Sequence, residues 1–256
     1  MMIMNPERYQ QLISEAEEAH FSGWDFNWLN DRMIQEDPPW DYPAIVKSHF
    51  EHVRTLLDMG TGGGELLASL SPLPTETHAT ESYPPNQSLA EKQLAPLNVT
   101  VHRTEETAPL PFDNDYFDFV INRHESFIAA EVFRVLKPGS KFITQQVGGL
   151  NNLELNQVLE DAVSFPYVKY SLTEAFTELI NAGFKIERAE QAALTTIFKD
   201  IGAVVYYLKA ISWQVPDFNA KTHAIGLKRI HNVIETLGHF STTAHRFLVI
   251  ACKELQ

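Results

Sequence analysis

The stretch Leu56-Leu57-Asp58-Met59-Gly60-Thr61-Gly62-Gly63-Gly64-Glu65 decides how the rest of the chain is read. An apolar run ends in Asp58. Three glycines then stand at alternate positions, Gly60, Gly62 and Gly64, and Leu66-Leu67-Ala68-Ser69-Leu70 reads as the start of a helix. The order is a buried strand, a tight turn and a helix. Glycine admits positive φ and lets another molecule approach the backbone closely. A glycine turn feeding a helix also offers backbone N–H groups to a ligand. The spacing narrows the choice of ligand. A dinucleotide fingerprint needs glycines at the first, third and sixth positions. Counting from Gly60 the sixth position is Glu65, and from Gly62 it is Leu67, so both fail. A carboxylate there would repel a pyrophosphate. No Gly-Lys-Ser/Thr follows, which excludes a phosphate-cradling P-loop.

The 256 residues are 44% hydrophobic and 21% charged, enough apolar material for one large domain, or a domain with a cap, around a sizeable core. A formal net charge of −13 without a Lys/Arg cluster argues against nucleic acid or an anionic membrane surface as the main partner. Cys252 is the only cysteine, so no intramolecular disulfide forms and a reducing, cytoplasmic location is expected. It ends the apolar run Phe247-Leu248-Val249-Ile250-Ala251 and reads as a small core residue. The ten histidines are scattered, and no cysteine–histidine cluster suggests a metal. The N-terminal stretch is polar and acidic, unlike a signal peptide. No apolar run approaches the ~18 residues of a membrane span.

Hydrophobic periodicity predicts helices over 6–20, 44–53, 86–94, 125–136 and 173–182, the last stopped by Gly183. Strands are expected at 55–59, 77–81, 99–103, 117–122, 141–147, from 185 onward, and at 246–253. This alternation implies an α/β fold with a doubly wound, mostly parallel sheet of seven strands. Ligands in such sheets bind at the carboxyl ends of the strands. The expected organisation is an N-terminal cap segment at 1–43, a core at 44–198, a cap insertion at 199–240 between the sixth and seventh strands, and the last strand within 241–256.

The pattern Asp-x-Gly-x-Gly-x-Gly over 58–64 resembles motif I of the class I S-adenosylmethionine (SAM)-dependent methyltransferases. Leu110-Pro111-Phe112, followed by polar residues and Phe117-Asp118-Phe119-Val120, resembles the same family. So does Val135-Leu136-Lys137-Pro138-Gly139 ahead of a strand. The likeness is to UbiE-like small-molecule methyltransferases and covers about 44–198 and 246–253. It implies a Rossmann-like sheet and SAM as cofactor, with S-adenosylhomocysteine as product. SAM carries a sulfonium cation and no phosphate, so nearby acids suit it.

On this resemblance Asp58, Gly60, Thr61, Gly62 and Gly64 form the cofactor loop. Glu81 and Ser82 end the second strand, about twenty residues on, where an acid grips ribose hydroxyls; read alone, Glu81 is equally an ordinary surface glutamate. The family places an acid ahead of Leu-Pro-Phe at the adenine amino group. Glu105 and Glu106 both remain open for it, because the loop is one residue longer than the usual pattern. Asn122 and Arg123 end the fourth strand, under the methionine part of SAM. His124 is the general-base candidate, with an ordinary pKa near ~6.5. Glu125 either orients it or caps the following helix; the alternative is that the pair only builds the turn. Methyl transfer often needs no strong base, since positioning supplies much of the rate.

Six residues are substrate-pocket candidates: Trp24, Trp28, Arg32, Gln145, Gln146 and Tyr206. Aromatic side chains offer a large apolar contact area with few rotors, or they pack on one another as core. Arg32 binds a substrate carboxylate or forms a surface salt bridge. Gln145 and Gln146 donate to a substrate oxygen or satisfy loop backbone groups. The expected activity is methyl transfer from SAM to a small molecule. The alternatives are a methyltransferase acting on RNA or protein, and a SAM-binding module without catalysis. The absence of an Asn-Pro-Pro-Tyr-like motif after the fourth strand weighs against nucleic acid bases.

Overall fold

In a computed structural model of the chain, residues 6–21, 26–105, 109–160 and 167–255 are described. The strands are β1 (Met33–Gln35), β2 (Thr55–Met59), β3 (Glu76–Glu81), β4 (Thr100–Arg103), β5 (Phe117–Arg123), β6 (Leu136–Val147), β7 (Lys185–Phe198) and β8 (Phe240–Cys252). The helices are α1 (Pro6–Glu18), α2 (Tyr42–Ser48), α3 (Glu65–Ser69), α4 (Pro84–Leu94), α5 (Ala129–Val135), α6 (Leu153–Leu159), α7 (Leu172–Asn181), α8 (Ile201–Ala210) and α9 (Ala224–Leu237). The sheet order is β1-β7-β8-β6-β5-β2-β3-β4. Strand β2 pairs in parallel with β3 on one side and β5 on the other, so Asp58 stands between Ala79 and Ile121. Pairs β3–β4 and β5–β6 are also parallel, while β1–β7 and β6–β8 are antiparallel. The chain turns outward in both directions from β2, and that switch point is where α/β sheets open a crevice for ligands.

Two compact units divide the chain. One comprises residues 39–147, 169–192 and 246–256. All five residues of β2 are buried, as a parallel strand covered on both faces requires. Consecutive residues face opposite sides. Leu56, Ile121, Ile143 and Leu248 pack with Val46, Leu67 and Leu94 of α2, α3 and α4. Leu57, Val120, Phe142 and Val249 pack with Val132 of α5 and Leu179 of α7. This is the doubly wound arrangement the sequence implies.

The other unit comprises residues 1–38, 148–168 and 193–245, so 148–168 and 193–198 join it rather than the first unit. Helix α8 is its centre, buried almost all round from Ile201 to Ala210. Asp200 caps α8 by accepting from the Ala203 N–H at 2.9 Å. The same carboxylate accepts from Arg32 Nε at 2.8 Å and Nη2 at 2.6 Å. The Arg32 guanidinium also lies over the Trp28 ring, 3.8 Å from its centroid. Trp28 stacks on Tyr206 with centroids 4.6 Å apart, and Tyr206 is only 1% exposed. Trp28, Arg32 and Tyr206, expected on a pocket wall, thus serve the interior of this unit. Trp24 lies outside the described residues.

Several boundaries differ from the sequence reading. An eighth strand, β1, pairs Met33 with Phe198 over three residues too few to show alternation. Strand β6 starts at Leu136 and takes in Lys137-Pro138-Gly139, with Gly139 left-handed at φ 84°. Helix α5 starts at Ala129 rather than 125, since His124 takes φ 63° and turns the chain. Helix α2 begins at Tyr42, where Asp41 accepts from the Ala44 N–H and a proline stands in the first turn. Helices α6, α8 and α9 were not expected. No helix among the described residues is long and apolar enough to cross a membrane.

His231 on α9 is 1% exposed, and both its ring nitrogens lack a hydrogen-bond partner. Its ring lies 5.2 Å from that of Tyr9. Desolvation holds its pKa below the ordinary imidazole value, against Glu235 and Asp200, which pull it up. The unfolded chain takes up this proton near pH ~6.5. The folded chain resists until lower pH, so this residue removes stability as pH falls below the unfolded value. His231→Leu is expected to match or exceed the wild-type melting temperature at neutral pH, with the gap widening toward pH ~5. A gap that stays constant across that range would show the ring to be no part of the acid response.

Candidate functional site

The glycine loop between β2 and α3 is left-handed at three positions, with φ of 68° at Gly60, 63° at Gly62 and 90° at Gly64. Gly60 faces a second restriction. A Cβ there would fall 2.3 Å from Glu125 Cγ. Strand β3 anchors the loop from beside it. The Thr61 N–H donates to Thr80 O at 2.9 Å, and the Gly62 N–H donates to Glu81 Oε2 at 2.8 Å. The other oxygen of Glu81 accepts from the Tyr83 N–H at 2.8 Å, ahead of α4. Glu81 is 4% exposed, and burial pushes its pKa above the usual carboxylate range against those N–H bonds. The Ser82 N–H and the Asn86 side chain also approach this carboxylate.

Asp58 lies at the end of β2, 3% exposed. Desolvation first raises its pKa to about 7; the Thr61 hydroxyl and the Arg123 charge work against this, and Glu81 with it. A small crevice of about 40 Å³ opens at the strand ends. Gly60, Glu81, Ser82 and Glu105 meet on its wall. Asp58, Thr61, Gly62 and Gly64 do not line it, but build and support the loop. Glu106 lies outside the described residues.

Among the wall residues not named as site candidates from the sequence are Ile128 and Glu131, and Leu110 entered only as part of the Leu-Pro-Phe motif. Glu131 accepts from the Leu110 N–H at 2.9 Å and pairs with Arg134 at 2.8 Å. Arg134 in turn donates to Leu110 O at 3.0 Å and Phe112 O at 2.7 Å. This fork holds the Leu-Pro-Phe turn against the crevice. The acid and base three apart on a helix were the available signal.

Beside the crevice, the ends of β5 and β6 form a closed polar network. Asn122 is fully buried, and its Oδ1 accepts from Thr144 Oγ1 at 2.9 Å and Gln146 Nε2 at 2.5 Å. Gln146 Nε2 also donates to Glu125 O at 2.9 Å. The Tyr42 hydroxyl donates to Asn122 O at 3.0 Å. Trp40 Nε1 donates to Gln145 Oε1 at 2.7 Å, and Gln145 Nε2 lies 3.1 Å from His124 Nε2. Both glutamines are 3% exposed. Gln146 thus reaches the loop backbone at Glu125, while the Gln145 amide contacts the Trp40 and His124 side chains. Solvent reaches His124, yet the protein packed around it desolvates the ring, and with Arg246 and Arg123 holds its pKa well below the ordinary value.

The methyltransferase-domain family matches residues 57–144, which run from β2 through β6. A protein from Bacillus halodurans C-125 assigned as a methyltransferase is similar in structure, with TM-score 0.59 at 17% identity over 83% of this chain and 97% of its own. The YcgJ protein from Bacillus subtilis gives TM-score 0.59 at 18% identity, over 84% of this chain and 98% of its own. The [4+2]-cyclase SpnF gives TM-score 0.51 at 14% identity, over 96% and 93%. At these identities the likeness is one of fold. No curated protein matches the chain. Residues 57–144, which carry the glycine loop and the acid beside it, thus match the methyltransferase-domain family, on a fold shared with these solved structures.

Proposed function

We propose that the chain transfers the methyl group of SAM to a small-molecule acceptor, in a reducing, cytoplasmic setting. One observation carries the cofactor assignment. Glu81, Glu105, Glu125 and Glu131 are the charged side chains on the crevice wall, with no lysine or arginine among them. Such a wall repels phosphates and attracts a cation. SAM is a cationic nucleoside without phosphate, so the donor set fits. In this reading Glu81 and Ser82 take the ribose hydroxyls and Glu105 the adenine amino group, while Gly60, Gly62 and their neighbours present backbone to the amino-acid end. The bound sulfonium supplies an electrophilic methyl. The chain's task is then to hold an acceptor in line and exclude water, which accounts for much of the rate in such transfers.

A net charge of −13 supports a small acceptor over nucleic acid. The cyclase on the same fold means that methyl transfer itself must be measured. The test is incubation with methyl-labelled SAM and a fractionated metabolite extract. Release of S-adenosylhomocysteine with label in a low-molecular-weight product is expected. Label confined to RNA or protein would replace the acceptor assignment, and tight SAM binding without any release would favour a non-catalytic module.

A further inference from the structure

Two histidines meet on the sheet beside the crevice. Ala79 of β3 and Val101 of β4 pack toward α3 and α4. Their chain neighbours His78 and His102 therefore face the opposite side of the sheet. There His78 Nδ1 lies 2.9 Å from His102 Nε2. His78 Nε2 lies 3.3 Å from Glu76 Oε1, which also accepts from the Tyr116 hydroxyl. Phe112 stands edge-on to both rings, its centroid 4.9 Å from that of His102 and 5.5 Å from that of His78. Both histidines are half-buried. The other charged groups of this cluster are Lys137 of β6, which acts on Glu76, and Asp113, which acts on Tyr116.

Hydrogen-bond polarity limits how many protons this pair can hold. The Tyr116 hydroxyl first, and His78 after it, hold the Glu76 carboxyl below the usual range, so it is ionised. An ionised carboxylate only accepts, so His78 donates to it from Nε2. In a neutral ring Nδ1 then keeps its lone pair, and His102 donates to it from Nε2. One added proton fits. His78 then donates from both nitrogens, while His102 carries its own proton on Nδ1 and accepts at Nε2. A second added proton does not fit. Both nitrogens across the 2.9 Å contact would carry hydrogen, and two cations would stand in contact. Burial, and then the His78 charge, hold the His102 pKa below the ordinary imidazole value. A detached ring takes its proton at higher pH than the paired one. The paired arrangement therefore loses stability as pH falls below the ordinary value near ~6.5.

Two routes join the pair to the crevice. Phe112, which rests on both rings, is tied through Arg134 to Leu110, and Leu110 lines the crevice. His102 stands two residues before Thr104, whose N–H donates to Glu81 O at 3.2 Å and which leads to Glu105 on the wall. We propose that the His78–His102 pair is a proton-operated switch on the crevice. With no added proton, or with one, it supports Phe112 and the end of β4. A second proton parts the rings and slackens the wall at Leu110 and Glu105. That the ligand released is a cofactor rests on the methyltransferase reading; the switch adds that this binding is lost in acid.

The experiment measures S-adenosylhomocysteine affinity by calorimetry at pH ~7.5 and ~5, in wild type and in His102→Gln, whose amide NH₂ can donate to His78 Nδ1 but takes up no proton in this range. The two proteins should agree within about threefold at pH ~7.5, and wild type should lose at least about threefold more affinity than the variant on acidification. Asp58 and Glu81 titrate in both proteins, so the difference between them belongs to the pair. NMR of wild type without ligand should show His102 taking its proton below the ordinary imidazole range, with the Phe112 ring signals moving in step. Equal acid losses in the two proteins overturn the proposal. So does a His102 that titrates in the ordinary range, or a Phe112 environment that stays fixed while it titrates. If S-adenosylhomocysteine does not bind wild type at pH ~7.5, the methyltransferase reading falls instead, and the NMR titration still decides whether the pair parts. The same titration decides it if His102→Gln fails to fold.

Discussion

Glu81→Gln is expected to lose cofactor binding nearly as completely as Glu81→Ala. Both oxygens of Glu81 accept from backbone N–H groups, Gly62 on one side and Tyr83 on the other. Glutamine offers one oxygen and one NH₂, so one of those N–H groups would face a donor. Either the loop or the start of α4 would lose its tie, before any ribose contact is counted. Hydrogen bonds to charged groups are worth about 1.5–3 kcal/mol each. With about tenfold in affinity per 1.4 kcal/mol, S-adenosylhomocysteine should bind at least about 100-fold more weakly in either variant. Glu81→Asp keeps the charge but is one methylene short, so it should fall between. Calorimetric titration beside circular dichroism checks this. Affinity within threefold of wild type in a folded Glu81→Gln variant would end the assignment.

The second large effect concerns stability. Tyr206→Ala should lower unfolding free energy by about 3–5 kcal/mol, the range for truncating a large buried aromatic. Tyr206 is among the largest fully buried side chains and loses both its stack on Trp28 and a hydrogen bond from its hydroxyl to His20 O at 3.3 Å. Tyr206→Phe keeps the ring and should cost only about 1 kcal/mol. Denaturant titration separates the two variants. If Tyr206→Ala were as stable as wild type and altered acceptor kinetics, the residue would line a substrate pocket after all.

The parts of this protein legible in its sequence are those where neighbours in the chain are neighbours in space. Strand β2 was placed to the residue because Leu56-Leu57 runs directly into a loop that only glycine can make. Gly60, Glu81 and Ser82 followed, since a strand end fixes what comes after it. Contacts made across the sheet were not legible. Nothing in the sequence couples Trp40 to Gln145, 105 positions away, and so nothing revealed which way that amide points. Aromatic content had the same ambiguity in residues 199–240. A buried aromatic and a pocket aromatic share a composition, and only the partners of Tyr206 tell them apart. Strand β1 escaped because three residues carry no periodicity.

Gly60 and Glu125 touch where no Cβ would fit between them. Such positions are not independent in evolution. An alanine at Gly60 is excluded while a long side chain occupies 125, and a shorter residue at 125 removes the space restriction but not the left-handed one. Among relatives of this chain, change at 125 should therefore come first and change at 60 rarely or never.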